Sequence, residues 1–433
     1  VADRPGERFY AAVLDGIYRE TDGRITLPTF GMNSVEALAR VAVEEQADLW
    51  WSAADWDYYD DEWLAADVAE AWERALTAEA CRGSSRQWER TFRRYLAMLV
   101  RVCRRARATL HTGGVTDPDF VVLLLDTEYQ ETLVRRVLAR GEVRRYFPEF
   151  EERAAEVARV DALPEAERVA YYASRMGEFA GPVSGEEAES ALRELGPAAF
   201  SALLPMLAFP DQAWRAARLL ADIGQPDDDV VRELEAALTK RTGPDKVWVA
   251  IALSRLGRLD LVLDQVDRLP VDVVVSAVAA PYTSFRNRAV APLPLSYLPL
   301  ERVIERWPAF VPALTKELKP GRGYCDITAD EVDEAVRGLT SPHVVIRSHA
   351  TCVLGDRRLG ATVAWRVLPL LGQAVERDED GTVRRLAILS LLSWQKDSRR
   401  YATVVRGALN DPAREVRETA AYWLREQDTD PPA

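Results

Sequence analysis

The sequence predicts an α+β domain followed by an all-α solenoid, helical for most of its length. Three observations carry that reading. A short phrase recurs in the C-terminal half: Asp411-Pro412, Val416-Arg417, Ala420 and Leu424 are preceded by Val383-Arg384, Ala387 and Leu391, and these by Pro342, Arg347, Ala350 and Leu354. Its arginines step by 37 and then 33 residues, the period of a stacked helical hairpin. The first 150 residues instead mix β-prone runs with helical stripes. Finally, 433 residues are too many for one core unless repeats extend it. The divisions read as 1–150 for the α+β domain, 151–183 for a helical connector and 184–428 for the solenoid.

Arg8–Leu14 and Arg24–Phe30 are apolar and β-prone, and Thr21-Asp22-Gly23 between them carries a hairpin turn signal. Asn33, with Glu36 three residues on, predicts a capped helix running to about Ala47. Leu49–Trp51 has the composition of a further short strand. Helices are expected near 61–80 and 86–110. In the second, Phe92, Leu96, Leu99, Cys103, Ala106 and Leu110 recur at three- and four-residue steps as an apolar stripe, with Arg90, Arg94, Arg101, Arg104 and Arg105 largely opposite. Phe120–Leu125 is a continuous apolar run of strand length, expected as a buried central strand. A helix over about 128–140 follows, and Phe147-Pro148 closes the unit.

Connecting helices over 150–183 are interrupted at Pro164 and Gly181-Pro182. Beyond them Trp214…Gly224, Val247…Gly257 and Val345…Gly355 each set an apolar residue ten positions before a helix-ending glycine. Between these units 258–325 is irregular, with prolines at 281, 292, 294, 299, 308 and 312. Degenerate repeats or an insertion with a long loop near 281–296 would both explain it.

Composition narrows the function. A net charge of −13 and a pI near 5.0 repel phosphate, so nucleic acid is a disfavoured partner. Cys81, Cys103, Cys325 and Cys352 form no C-x-x-C pair and suggest no disulfide framework. No apolar stretch resembles a signal peptide or a membrane span, so a cytoplasmic location is expected. Arginine, alanine, valine and leucine are heavily used, as in GC-rich bacterial coding, and this carries no mechanistic weight.

The recurring phrase resembles the HEAT repeat, over about 190–426. That resemblance implies a mostly protein-binding scaffold. In it, Ala350, Ala387 and Ala420 would let paired helices approach, and Arg347, Arg384 and Arg417 would stack against acidic residues of adjacent repeats. The N-terminal region carries Phe9-Tyr10-Ala11, Asn33-Ser34 with Glu36, Trp51-Ser52 with Asp55-Trp56, Asp119–Val122 with Asp126 and Glu128-Tyr129, and Phe147-Pro148-Glu149. In order and spacing these are similar to an uncharacterised bacterial family, domain of unknown function 4303, over about 7–150. That resemblance brings no activity and no catalytic residues. Genes of this kind often sit near contact-dependent toxin systems, which implies an immunity-type or interaction role by analogy.

The densest local signal runs from Trp50 to Trp63, with four tryptophans and two tyrosines beside five acidic groups. Trp56, Asp57, Tyr58, Tyr59 and Trp63 are the candidate partner-binding residues: aromatic anchors supply interface energy and carboxylates select a basic partner. The plainer reading is that the tryptophans fill the core while the acids cap a helix beginning near 61; a divalent-cation cluster is a third, without the loop of a calcium hand. The arginine stripe over 90–105 reads first as a solvated face, one that the acids of 55–62 could neutralise, and otherwise as a phosphate or acidic-partner site. His111, His343 and His349 make no zinc motif, and no nucleophile elbow or phosphate loop occurs. Gly321–Cys325 is a glycine-rich turn without the lysine such a loop needs. Cys325 has no histidine near it in sequence, which argues against a nucleophile.

The reading is therefore a cytoplasmic, non-catalytic scaffold or adaptor that binds a protein of unknown identity, without cofactor or metal. Its rivals are a HEAT-like nucleic-acid-binding or DNA-repair protein, which needs a basic concave face; a HEAT-type lyase or cofactor-attachment factor, which needs a deep pocket; and an unrecognised enzyme in the N-terminal domain. Paired carboxylates in a cleft, such as Asp55 and Asp57 with Glu128, would favour the last.

Overall fold

The computed structural model describes residues 4, 6–20, 23–82, 85–178, 181–319 and 323–429. They divide into two compact units, Val1–Ala158 and Arg159–Ala433. Thr21-Asp22 of the predicted hairpin turn and Gly321-Arg322 of the glycine-rich turn lie outside the described residues.

The first unit is built on a sheet of order β3-β2-β1-β4. Strands β1 (Phe9–Asp15) and β2 (Thr29–Ser34) run antiparallel; α1 (Val35–Leu38) and α2 (Val43–Leu49) follow, and β3 (Tyr58–Asp60) pairs antiparallel with β2. Then come α3 (Ala66–Ala80), α4 (Ser85–Thr112), β4 (Val121–Leu124), α5 (Gln130–Val137), α6 (Arg140–Tyr146) and α7 (Pro148–Asp161). Strand β4 lies parallel to β1, Ala11 opposite Val121 and Leu14 opposite Leu124. Such a pair needs a crossover, which α4 supplies. Its predicted stripe is the buried face: Phe92, Leu96, Leu99 and Cys103 are in the core, whereas Arg90, Arg94, Arg101, Arg104 and Arg105 are exposed.

Several local expectations are corrected. The run 120–125 is buried throughout but is not a central strand; β4 is an edge of the sheet, covered by α4 and α5. Burial on both faces produces the apolar run and says nothing about which strands lie alongside. Asn33 does not cap a helix. It is the penultimate residue of β2, buried, with its amide on the Tyr10 hydroxyl (3.0 Å). Ser34 caps instead, its hydroxyl accepting the Ala37 N–H, while Glu36 reaches back to the Arg8 N–H. The helix ends at Leu38 rather than near Ala47, and Leu49–Trp51 closes α2 instead of forming a strand.

In the second unit helices follow in pairs: α8 (Glu165–Arg175) with α9 (Gly185–Leu195), α10 (Phe200–Met206) with α11 (Ala213–Ile223), α12 (Asp228–Lys240) with α13 (Gly243–Arg255), α14 (Leu259–Leu263) with α15 (Val271–Ala279), α16 (Leu298–Arg306) with α17 (Val311–Glu317), α18 (Val332–Gly338) with α19 (Val344–Val353), α20 (Ala361–Arg377) with α21 (Gly381–Ser393), and α22 (Ala402–Gly407) with α23 (Arg414–Thr429). The odd-numbered helices pack on one another in order, from α9 to α17 and from α19 to α23, and more closely than the even-numbered ones. The stack is therefore a solenoid whose inner row is odd-numbered. Ala350, Ala387 and Ala420 are fully buried on that row.

The repeat arginines share one geometry. Arg347 donates to the carbonyls of Ser341 and Pro342 in the loop before its own helix, and its other nitrogens grip Asp378 in the loop ahead (2.8 and 3.1 Å). Arg384 does the same with Asp378 and Glu379 behind it and Asp411 ahead (2.7 and 2.8 Å). Each aspartate also caps the loop it sits in, through the N–H of Asp380 or Ala413. Arg417 keeps the carbonyl contacts, to Asp411 and Pro412, and has no carboxylate ahead of it among the described residues. Earlier in the stack a different arrangement serves: the fully buried Asp222 is shared by Arg193 (3.1 Å) and Arg255 (2.8 Å), joining α9, α11 and α13.

The irregular stretch resolves into short helices plus a strap. After α15 the chain makes two 3-10 turns, Ala280–Tyr282 and Ser284–Arg288, then runs extended to α16. Val290 donates to the Asp222 carbonyl (2.7 Å), and Ala291 lies so close to Gly224 that a Cβ there would come within 2.8 Å of its carbonyl oxygen. Gly224 also has a φ of 73°, so both conformation and contact require glycine. Arg286 ties the strap down by donating to the carbonyls of Leu293 and Asp326 and pairing with Glu331.

The arginine steps make a graded prediction. Arg384→Ala leaves the buried Asp411 carboxylate unpaired and should cost about 3 kcal/mol. Arg417→Ala, which strands no carboxylate, should cost about 1 kcal/mol. Urea midpoints compare the two, and equal losses would remove the arginine–aspartate step as a source of stability.

Candidate functional site

A groove of about 1030 Å³ opens on the inner row of the second unit. Pro312, Thr315, Lys316 and Lys319 come from α17 and the residues just after it. Helix α19 gives Val344, Val345 and Ser348. Asp380, Thr382, Arg385 and Leu389 come from the head and body of α21. Glu415, Glu418, Thr419 and Tyr422 come from α23. These positions recur because each inner helix presents its free face to the same side. Tyr422 and Val344 are exposed within the groove, while Val345 and Ser348 are buried in its floor. Periodicity located α19, α21 and α23, but α17 lies in the irregular stretch, so its lysines were not singled out.

The segment from Trp50 to Trp63 is divided. A one-residue irregularity between Phe9 and Ala11 sets Tyr10 apart in β1, and bulges re-aim side chains. Its ring meets Trp50 (4.8 Å), Trp51 (6.0 Å) and Trp56 (6.2 Å), and its hydroxyl donates to the Trp50 carbonyl. Trp51 stacks on Phe147 (4.8 Å), and the indole N–H groups of Trp51 and Trp56 donate to the carbonyls of Tyr146 and Leu49. Trp56 is buried. Tyr58 is half-buried, with its hydroxyl on Glu7 (2.6 Å). Tyr59 and Trp63 are outward, 37% and 38% exposed, and Trp63 still donates to the Pro28 carbonyl.

The carboxylates face solvent. Asp57 pairs with Arg40 (3.0 Å), Asp55 accepts from Ser52, and Asp60 caps the turn at Glu62. They do not cap the next helix as expected: α3 begins only at Ala66, and its N-cap Ala65 has no side-chain acceptor. No ion pair joins them to the arginine face of α4 among the described residues. Asp55 and Asp57 are thus tied apart from Glu128, which pairs with Arg19 (2.8 Å).

Arg19 belongs to a cluster that sequence reasoning did not assemble. It lies beyond the C-terminal ends of the parallel strands β1 and β4, binding Asp126 through both terminal nitrogens (2.7 and 3.2 Å) and stacking over Phe92 and Tyr129. Asp126 also accepts the N–H groups of Glu128 and Tyr129. Burial, with Asp126 as a like charge, raises the carboxyl of Asp15 above its ordinary range. Arg19 is committed to its two carboxylates, so the cluster fastens the strand ends.

Cys325 and His349 meet in the second unit, 24 residues apart in sequence, with the sulfur 3.7 Å from Nε2. The pair is not a nucleophile and base. Nε2 lies 2.8 Å from the Tyr282 carbonyl, which requires a proton on Nε2, and Nδ1 accepts from the Tyr297 hydroxyl (2.7 Å). No imidazole lone pair is left for the thiol. Burial pushes the thiol up to about 12 and the imidazole down to about 4, opposite to what a thiolate–imidazolium pair needs. His349 instead fastens Tyr282 and Tyr297, at either end of the strap, to α19.

Two predictions follow from burial. His349 is neutral in the fold, so the unfolded chain binds its proton first. Its contribution is intact above about 6.5 and is lost as pH falls from there toward about 4, up to about 3 kcal/mol. Urea midpoints across that range should fall more steeply for the native protein than for His349→Gln; parallel curves would show that the imidazole does not report burial. In the N-terminal unit, Trp56→Ala should cost about 3–5 kcal/mol by opening a cavity, and Tyr59→Ala under about 1 kcal/mol. Melting temperatures separate them, and an early-melting Tyr59→Ala would remove its ring from the free surface.

Among solved structures, the chain is similar to human deoxyhypusine hydroxylase in complex with glycerol, 18% identical over 61% of this chain and 98% of that one, with a TM-score of 0.26. It is also similar to an engineered protein, 14% identical over 61% and 97%, with a TM-score of 0.25. Neither is near enough in shape to carry an argument. No curated protein matches the chain. No helix of the described residues is long and apolar enough to cross a membrane. Residues 1–140 match the family model of a domain of unknown function (DUF4303).

Proposed function

We propose that this protein is a non-catalytic scaffold or adaptor acting in a bacterial cytoplasm, and that its HEAT-type solenoid takes a protein partner in the groove across α17, α19, α21 and α23. The single observation that supports this most is the groove itself. Its volume is about 1030 Å³, side chains from four inner helices line it, and it offers exposed apolar side chains beside charges of both signs. Protein interfaces combine those features. A net charge of −13 disfavours a polyanion over a polypeptide. An immunity-type protein, which occupies one partner stoichiometrically, is one form this role would take.

The outward half of the N-terminal segment supports a second contact surface. Tyr59 and Trp63 stand exposed beside Asp55, Asp57, Asp60, Asp61 and Glu62, a combination that suits a basic partner.

A photo-crosslinking residue tests the groove. Placed at Tyr422 of the intact protein, in lysate of the native host, it should give discrete protein adducts. These should vanish when Thr382→Trp fills the groove. The same residue at the exposed Arg232 on α12 should give none of them. Identical adducts from both positions, or none from Tyr422, would remove the groove as the binding surface.

A further inference from the structure

Resting on the reading of the groove as a protein-binding surface, we propose that its occupant is an extended segment of polypeptide, acidic over α17 and basic over α23. The first support is the sorting of charge by helix. Lys316 and Lys319 on the α17 side are exposed and have no ion-pair partner among the described residues. On the α23 side stand Glu415, in no ion pair among the described residues, and Glu418, paired with the exposed Arg414. Between them α21 carries one charge of each sign, Asp380 and Arg385. The groove is thus polarised along its length. An occupant of uniform charge would meet repulsion at one wall, whereas a segment with separated charges satisfies both.

The second support is the spacing of hydroxyls. Each of the four helices places one on the groove: Thr315, Ser348, Thr382 and Thr419. Those of Thr315 and Thr419 donate to their own helices, to the carbonyls of Val311 and Glu415, which leaves lone pairs to accept from a ligand. Such a pair of committed acceptors, Thr315 at one wall and Thr419 at the other, suits a main chain with free N–H groups. An α-helix, whose N–H groups are internally bonded, has no use for it.

The third support is length. Packed helices lie about 8–10 Å apart, so the two packed steps from α19 to α23 span roughly 16–20 Å, and the wall at α17 adds to that. An extended chain covers the packed part in about six residues at ~3.3 Å each. A helix would need about 11–13 residues for the same part and a continuous apolar stripe to lie on. The apolar lining here, which includes Pro312, Leu318, Val344, Leu389 and Tyr422, shares each helix with hydroxyls or charges.

The test selects binders for the intact protein from a displayed library of random peptides about twelve residues long. Selected peptides should carry acidic residues toward one end and basic residues toward the other, and Thr382→Trp should abolish their binding. Lys316→Glu with Lys319→Glu should weaken them by roughly tenfold in fluorescence anisotropy, two rim attractions becoming repulsions. Glu415→Lys with Glu418→Lys should do the same from the other wall. With all four reversed, a peptide whose acidic and basic residues are exchanged should bind as the original binds the native protein. These four side chains lie at the surface, and an unchanged thermal transition verifies each variant. Peptides blocked by Thr382→Trp but indifferent to both reversals would overturn the polarity and leave the protein-binding reading standing. Peptides that bind as helices, or self-association of the protein that Thr382→Trp abolishes, would overturn the extended occupant in favour of a helix or a second copy. Failure to select any peptide that Thr382→Trp blocks would overturn the groove reading itself.

Discussion

In the last helix pairs of the solenoid, the guanidinium of one inner helix reaches the aspartate of the loop that introduces the next. Arg347 reaches Asp378 and Arg384 reaches Asp411, each with two nitrogens. A bidentate pair fixes direction as well as distance. The remaining nitrogen is spent on carbonyls of the arginine's own loop, so it ties two consecutive loops at once. Desolvating such a pair costs nearly what its attraction returns. Its effect is therefore on geometry: it sets the offset at which one inner helix follows another. The groove inherits that offset, because its hydroxyls and charges line up only if α19, α21 and α23 present equivalent turns.

Legibility varied with the range of the interaction. The arginine, alanine and leucine of the repeat were readable because each unit restates them, and their spacing reports a face. The stripe of α4 was readable for the same reason. What failed depended on a neighbour distant in sequence. Phe120–Leu125 showed that a strand was buried, but its place at the sheet edge depends on the crossover through α4, which composition does not encode. Asn33 looks like a cap because it precedes Glu36; pairing with β1 claims it for the sheet, and Ser34 takes the cap. Strand β3 is three residues long, too short to show alternation.

The candidate sites divide the same way. From sequence the aromatic residues of Trp50–Trp63 looked like a unit, either filling the core or forming a binding face. The chain instead turns there, sending Trp51 and Trp56 to the ring of Tyr10 and leaving Tyr59 and Trp63 outside. The groove was half visible: α19, α21 and α23 carry the repeat, but Lys316 and Lys319 follow prolines that hide the period. The cluster of Tyr282, Tyr297, Cys325 and His349 was invisible, since its members come from three separate stretches.

The strap has a consequence for cooperativity. A solenoid stabilised by nearest-neighbour contacts behaves as a one-dimensional chain of units, and its ends fray independently. The strap breaks that rule. Val290 bonds to α11, while Tyr297 bonds across 52 residues to α19. Opening any pair between them must release both attachments, so this middle block should open as one cooperative unit. Helices α21 and α23 lie beyond its reach and keep only neighbour contacts. Amide exchange should therefore be slowest in the strapped block and faster toward α23. One wall of the groove would then stand on the rigid block and the other on helices free to breathe, which lets the opening adjust its width without cost to the remainder of the stack.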